Sequence, residues 1–302
     1  MNGIINVYKE PEYTSFDVVA ILRGILKQKK IGHTGTLDPM AEGVLPVCLG
    51  SATKLCELLT DHDKEYEAVM RLGVTYDTLD IWGEKLTENK IMSTESEVVS
   101  AIKSFEGGYN QTPPMYSAKK VDGKKLYDLA REGKTIERKS VFVNIYNIDI
   151  LSIDFPRVKI KVSCGKGTYI RSLIDDIGRL LGCGAAMESL VRTKVNEFTI
   201  DNALTLKQIE ELTKKNEIED YIKAVDLVFS NDRRVDINSR LCKLVENGNK
   251  LIKCDFENMT ITPSGDFREK EKLRIYDSDG IFRAVYEYNA AKGELKPYKM
   301  FL

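Results

Sequence analysis

Two spacings of apolar residues alternate along the first two thirds of the chain, one typical of strands and one typical of helices. Apolar runs at residues 4–8, 44–49 and 66–74 predict strands. A helix is expected from Ser15, which can cap it, because the apolar residues that follow share one helical face. The alternation is typical of a mixed α/β domain.

Further along, the same alternation continues. Thr94 and Glu97 have the spacing of a capping box at the start of a helix, and Asp122-Gly123 predicts a tight turn. Two β-rich stretches flank Pro156, and a helix is expected at about residues 168–181.

The pattern changes near residue 231. Residues 206–226 are acidic and have helical spacing, which predicts a peripheral helix. Beyond them, short β-rich segments prevail, with a hairpin turn expected at Asp279-Gly280. We therefore predict a mixed α+β domain at residues 1–231 and a small β-rich domain at residues 232–302.

Composition excludes few classes of protein. Of the 302 residues, 42% are hydrophobic and 30% are charged, and no apolar run approaches the roughly 20 residues that span a bilayer. Charge and proline interrupt the N-terminus before a signal sequence could form. A cytoplasmic protein without membrane contact is expected.

The ligand pattern of a metal site is missing. The six cysteines include no C-x-x-C pair, and His33 and His62 are the only histidines. Isolated thiols are usually small buried hydrophobic groups. We therefore predict neither a metal ion nor an organic cofactor.

Basic residues are concentrated in two segments, although the net charge is −1. Residues 18–37 carry Arg23, Lys27, Lys29 and Lys30 without an acidic residue, and residues 119–139 carry eight basic residues against four acidic ones. Such segments can bind phosphates, but each is also explained by an ordinary solvated face.

A glycine-rich loop at residues 32–43 contains the first candidate for chemistry. Asp38 precedes Pro39, which favours an extended backbone, and the glycines permit tight turns or close approach to a ligand. Taken alone, the pattern also fits a plain turn with an exposed carboxylate.

The whole loop string, GHTGTLDPMAEGVLPVCLGSATK, resembles the signature of the bacterial TruB-type tRNA pseudouridine synthases, which modify the T-loop uridine at tRNA position 55. The resemblance continues in order through DKEYEAVMRLG, QTPPMYSAKKVDGKKLYDLAREG and SCGKGTYIRSLIDDIGRLLGCGA. It implies an enzyme that binds tRNA without an obligate protein partner. It also implies a pseudouridine-synthase-like catalytic domain with a mixed sheet.

The resemblance implies that Asp38 is the essential aspartate, which acts on the ribose so that uracil detaches, rotates and rejoins through carbon. Whether Asp38 attacks the anomeric carbon or removes a sugar proton stays open. Arg171, in TYIRSL, matches the family's arginine partner of the aspartate. Without the motif, Arg171 would be read as part of a surface salt bridge.

The same resemblance assigns residues to a flipped base. Tyr66 matches the tyrosine that stacks on the target uracil and can handle a proton, while Tyr169 and Leu190 match residues of the same pocket. His33 matches the histidine that enters the opened T loop. Lys54 is a candidate phosphate contact. Individually these residues are equally typical of a core, a loop or a solvated surface.

The chain departs from the family pattern at Val191, where the first arginine of a Leu-Arg-Arg-Thr string is usual, and in the loop of Leu79, Ile81 and Trp82, which is normally polar. The tail only loosely resembles the PUA-like domain that ends many members. It could bind RNA or simply pack. A non-catalytic RNA-binding protein and an RNA-guided enzyme in a protein complex remain the alternatives.

Overall fold

The computed structural model describes residues 1–117, 120, 121, 124–131, 134 and 136–302. The helices are α1 (Ser15–Ile25), α2 (Cys56–Thr60), α3 (Glu95–Lys103), α4 (Leu126–Arg131), α5 (Ile170–Leu180), α6 (Leu206–Lys215) and α7 (Ser239–Glu246). The strands are β1 (Gly3–Lys9), β2 (Ile31–His33), β3 (Glu42–Leu49), β4 (Lys64–Leu72), β5 (Val74–Tyr76), β6 (Lys85–Glu88), β7 (Tyr109–Gln111), β8 (Lys120–Val121), β9 (Lys124–Lys125), β10 (Val141–Val143), β11 (Ile145–Asp154), β12 (Arg157–Cys164), β13 (Ala185–Val195), β14 (Phe198–Thr199), β15 (Ile222–Lys223), β16 (Arg233–Ile237), β17 (Leu251–Ile252), β18 (Met259–Thr262), β19 (Lys272–Tyr276), β20 (Phe282–Asn289) and β21 (Glu294–Met300).

A nine-stranded mixed sheet forms the centre of the larger part of the chain. Its order is β11, β12, β4, β13, β3, β1 and β15, with β14 paired to β13 and β2 paired to β3. The pairing of β13 with β3 is parallel, and the other pairs are antiparallel. This order brings β4, β13 and the loop before β3 together.

The interior strand β3 is buried on both faces. Leu45, Val47 and Leu49 pack with α1 and α6, whereas Val44 and Cys48 face a different cluster. Because alternate side chains of a strand point to opposite faces, one apolar run supplies two cores. Burial of both faces explains why residues 44–49 are continuously apolar.

The start of α1 differs from the prediction by one residue. Thr14 is the cap: its hydroxyl accepts from Asp17 N at 3.0 Å, and the Asp17 carboxylate accepts from Thr14 N at 2.8 Å. The predicted cap, Ser15, is already helical and buried, and its Oγ accepts from Leu37 N at 2.9 Å. The prediction was wrong because Ser15 faces the loop that carries Asp38.

Residues 206–226 do not form one peripheral helix. The helix α6 ends at Asn216, whose φ of 60° stops helical hydrogen bonding, and β15 then pairs with β1 through Ile222 and Ile5. Ile209 is fully buried against the core. The acidic pattern described only the solvent face of this segment.

A six-stranded sheet begins at Arg233, in the order β17, β21, β20, β19, β16 and β18. The turn at Asp279-Gly280 joins β19 to β20, and the Gly280 φ of 74° is a conformation that glycine adopts without strain. The tail is β-rich, as the sequence predicts. The domain boundary near residue 231 stays a prediction.

Some predictions fall outside the described residues. The turn at Asp122-Gly123 does, as does part of the basic segment at residues 119–139. In the part of the chain that the structure does describe, no helix is long and apolar enough to cross a membrane.

Candidate active site

Asp38 lies on the short connection between β2 and β3. The preceding residue is fixed by Ser15, whose Oγ accepts from Leu37 N, and Ala41 N donates to the Asp38 carbonyl at 3.1 Å. The Asp38 side chain is 38% exposed. A carboxylate on an anchored backbone therefore reaches the solvent of a cleft.

Arg171 binds this carboxylate through two parallel hydrogen bonds. Arg171 Nε lies 2.9 Å from Asp38 Oδ2, and Arg171 Nη2 donates to Asp38 Oδ1 at 3.0 Å. The arginine side chain is only 6% exposed. Since both carboxylate oxygens accept, the arrangement fits ionised Asp38 in one fixed orientation.

The remaining donors of Arg171 also have partners. Nη2 donates to the Tyr116 carbonyl at 2.7 Å, and Nη1 donates to the Thr78 carbonyl at 3.0 Å. Asp80 Oδ2 lies 3.5 Å from Nη1, and burial raises the pKa of Asp80. Three separate chain segments thus hold the guanidinium. Sequence reasoning missed Asp80, although it noted the unusual loop around it.

A cleft of about 750 Å³ opens above this ion pair. Five of the predicted site residues line it together: Asp38, Tyr66, Tyr169, Arg171 and Leu190. Tyr66 and Leu190 come from the neighbouring strands β4 and β13, while Tyr169 and Arg171 come from the start of α5. Polar and apolar walls therefore meet at the carboxylate, an arrangement typical of a small-ligand or single-base pocket.

Tyr66 faces a buried arginine that sequence reasoning missed. Tyr66 pairs in register with Arg192 of β13, so the charge of the guanidinium acts on the Tyr66 phenol. Burial raises the pKa of Tyr66, and the positive charge of Arg192 opposes that rise. The phenol is therefore neutral near pH 7.

Arg192 also supports the Asp38 loop. It is 2% exposed; its Nε donates to the Val44 carbonyl at 2.7 Å, and its terminal nitrogens lie 3.4–3.5 Å from the carbonyls of Gly35 and Thr36. Burial lowers the pKa of Arg192. Arg192 is the arginine of the string LVRTK, but sequence reasoning used only the substitution at Val191 in that string.

The backbone of Tyr169 is held by another residue that sequence reasoning missed, Gln111. The Gln111 Oε1 accepts from Tyr169 N at 2.8 Å, and its Nε2 donates to the Tyr169 carbonyl at 3.0 Å. Gln111 is 1% exposed, and its Nε2 also donates to the Tyr109 hydroxyl, which donates to Asp176. Burial raises the pKa of Tyr169. This clamp fixes the start of α5, and with it Arg171.

Lys9 is fully buried beside the same loop. Its Nζ donates to the carbonyls of Pro39 at 2.9 Å and Glu10 at 3.0 Å. Burial lowers the pKa of Lys9 to about 8, although the negative charge of Asp38 acts in the opposite direction. A titratable ammonium therefore supports the backbone just after Asp38.

The other two predicted site residues do not line the cleft. His33 is half-buried on β2, where its Nδ1 accepts from Gly35 N at 3.4 Å and burial lowers its pKa. Lys54 is exposed on the 3₁₀ helix Gly50–Leu55. Their proposed contacts with RNA remain predictions. No group of three or more His, Cys, Asp or Glu side chains suited to a metal ion occurs among the described residues.

Two family models match the chain. Residues 23–170 match the TruB family pseudouridylate synthase N-terminal domain, and residues 171–229 match the tRNA pseudouridylate synthase B C-terminal domain. The second match adjoins the first at Arg171, so together they contain the cleft.

Whole-chain comparisons agree with these matches. The tRNA pseudouridine synthase B of Lachnoclostridium phytofermentans is 52% identical, with both chains covered completely, and the Clostridium novyi protein of the same name is 45% identical over the same full coverage. A solved box H/ACA ribonucleoprotein bound to a substrate RNA containing 2'-deoxyuridine has a chain that is 26% identical, with a TM-score of 0.71. The match covers 99% of this chain and 85% of that one. This chain belongs to the TruB family of pseudouridylate synthases.

Proposed function

We propose that this chain is a tRNA pseudouridine synthase that isomerises the T-loop uridine at tRNA position 55. The observation that carries the proposal is the two-bond pairing of Arg171 with Asp38 at a cleft lined by Tyr66, Tyr169 and Leu190. Family membership supplies the reaction, and the cleft supplies a site of suitable size and chemistry.

The reaction exchanges one bond of uracil for another. The bond from ribose to the ring nitrogen breaks, the base rotates and a bond from ribose to the carbon C5 forms. The C5 proton is lost, and the freed ring nitrogen gains a proton. Asp38 acts on the ribose, either by attacking the anomeric carbon or by removing a sugar proton. Both steps need an ionised carboxylate, and the two donors from Arg171 favour that form.

The base must leave the T loop before it can react, which costs a few kcal/mol of unstacking. In our proposal Tyr66 stacks on the uracil, and Tyr169 and Leu190 complete its pocket. The neutral phenol of Tyr66 can also relay a proton. His33 enters the opened loop, and Lys54 contacts a phosphate.

The proposed enzyme needs no metal ion or organic cofactor, since an aspartate, a cation and a stacking pocket can carry every step named here. tRNA is its partner, without an obligate protein partner. Its site of action is the cytoplasm, where tRNA is modified.

The first test is Asp38→Asn, which keeps the shape of the side chain but removes its charge. We expect tritium release from C5-labelled tRNA to fall by at least about 10³-fold, because an essential group is lost. The urea midpoint and the Kd for tRNA should change little. Retained turnover would contradict the role of Asp38.

Asp154→Asn is the matched control, because Asp154 is an exposed aspartate at the end of β11. It should retain full turnover. Purified chain and bare tRNA transcript together distinguish the alternatives. A non-catalytic RNA-binding protein would produce no pseudouridine, and an RNA-guided enzyme would need added guide or protein components.

A further inference from the structure

Three cleft-facing side chains have no part in the chemistry above: Phe142, Asn144 and Tyr146. They alternate with Val143 and Ile145, which are 3% and 0% exposed and belong to the core. Phe142 lies in β10, Asn144 lies between the two strands and Tyr146 lies in β11, and all three line the cleft that contains Asp38. We call them the aromatic strip.

The two rings of the strip are unusually open to solvent. Phe142 is 58% exposed and Tyr146 is 55% exposed, although each is large and mostly apolar. The Tyr146 hydroxyl donates to Asp63 at 2.9 Å, so this ring is held in place. Exposed aromatic surface that continues into a functional cleft is typical of a binding surface.

A positive charge lies beside the strip, because Gly165 N donates to the Asn144 carbonyl at 3.0 Å and Lys166 is the next residue. Lys166 belongs to the Gly165–Gly167 turn, lines the same cleft and pairs with Asp61 at 2.8 Å. Both partners are 62% exposed. Such an exposed ion pair contributes little, so the ammonium can exchange its carboxylate for a phosphate. The aromatic rings can stack on the face of a base, and the amide can bond to its edge. The ammonium can bind a phosphate of the nucleotide backbone.

We propose that Phe142, Asn144 and Tyr146 form a second nucleotide subsite, which stacks unpaired bases next to the target uridine. The inference rests on the proposed function. A uridine that leaves its loop deprives its neighbours of stacking, and the strip replaces that contact within the same cleft. Asn144 supplies donor and acceptor atoms to a base edge, and Lys166 supplies a phosphate contact.

The first test measures the Kd for unmodified tRNA transcript and the single-turnover rate at saturation. Phe142→Ala and Tyr146→Ala should each weaken binding by about 5- to 100-fold, the usual effect of losing one base-stacking ring. Tyr146→Phe, which keeps the ring and loses the bond to Asp63, should stay within about threefold of the original chain.

Tyr221→Ala is the matched control, because Tyr221 is 50% exposed but does not line the cleft. It should leave the Kd unchanged. Equal affinities for the original chain, Phe142→Ala and Tyr146→Ala would overturn the subsite. Absence of any turnover by the original chain would instead overturn the proposed function, so the two failures can be told apart.

A second measurement does not depend on deleting a ring. Trp82 is the only tryptophan, so Phe142→Trp in a Trp82→Phe background places one fluorophore on the strip. Stacked bases should quench its emission as tRNA transcript is added, with a midpoint equal to the Kd. Emission that stays constant while tRNA binds would contradict stacking at this position.

Discussion

At the scale of the residue, one planar guanidinium of Arg171 both orients the Asp38 carboxylate and binds backbone carbonyls. It donates to both oxygens of Asp38 and to the carbonyls of Thr78 and Tyr116. Lysine has a single ammonium and cannot reproduce this fork. The orientation of the carboxylate should therefore depend on the planar donor geometry of arginine as well as on its positive charge.

Arg171→Lys should lower the single-turnover rate on tRNA by about 10- to 100-fold, because one bond to a charged group contributes about 1.5–3 kcal/mol. Arg179→Lys is the control on the same helix, since Arg179 is 72% exposed and pairs with Asp175. It should stay within about twofold. Equal rates for the two variants would show that the reaction does not need both hydrogen bonds from Arg171 to Asp38.

A second residue-scale prediction concerns Lys9, whose folded-state pKa of about 8 lies below the ordinary value of 10.5. Between these values the unfolded chain holds one more proton than the folded chain. The free energy of unfolding therefore rises with pH across this window, by about 3 kcal/mol in total. Below pH 8 the buried charge lowers stability.

Lys9→Met should remove this rise, which urea unfolding between about pH 7 and pH 10 would measure against the original chain. Lys54→Met, at an exposed lysine, should retain it. If Lys9→Met and the original chain followed parallel profiles, Lys9 would not titrate in this window.

At the scale of the element, the start of α5 is positioned by a neighbouring strand. Gln111 of β7 bonds to both backbone groups of Tyr169, the cap residue of α5. Gln111→Glu keeps the acceptor but loses both donated bonds. We expect the free energy of unfolding to fall by about 1–3 kcal/mol, since the Tyr169 carbonyl keeps only the donor Leu173 N and the Tyr109 hydroxyl loses the bond from Gln111.

The single-turnover rate should fall with it, because Arg171 follows two residues later. Gln208→Glu provides the control: the Gln208 Oε1 only accepts, from Thr205 at the exposed start of α6, and glutamate can do the same. Rate and stability should be unchanged there. A Gln111→Glu variant with the original rate would show that α5 needs no clamp.

Sequence reasoning located most elements and named five residues that line one cleft, because apolar spacing and motif order are local properties. Asp38, Tyr66 and Arg171 were predicted from the strings that contain them. Arg192 and Gln111 were not, since their importance comes from carbonyls and backbone groups far along the chain. The cap at Thr14 was missed for a related reason: Ser15 is used in a tertiary contact that spacing does not reveal.

At the scale of the whole molecule, one apolar cluster connects the two large sheets. Phe301, the residue after β21, is 7% exposed and stacks on Phe282 with ring centroids 5.2 Å apart. The same cluster contains Val44 and Leu55 from the catalytic part of the chain. Shared apolar burial of this kind favours cooperative unfolding of both parts.

Phe301→Ala should lower the free energy of unfolding by about 3–5 kcal/mol, the usual effect of truncating a buried ring. Tyr298→Ala, three residues earlier in β21 and at 41% exposure, should change it by less than about 1 kcal/mol. Urea unfolding, followed by circular dichroism, would measure both. A Phe301→Ala midpoint equal to that of the original chain would contradict coupling through this cluster.

The contacts of Arg171 have a consequence for how the chain acquires activity. Its partners Asp38, Thr78 and Tyr116 precede it by 133, 93 and 55 residues. Closing loops of such length is entropically costly and contributes to slow folding, so these contacts are expected to form late. A nascent or partly collapsed chain would then hold no competent carboxylate, and the onset of turnover during refolding would mark completion of the native topology.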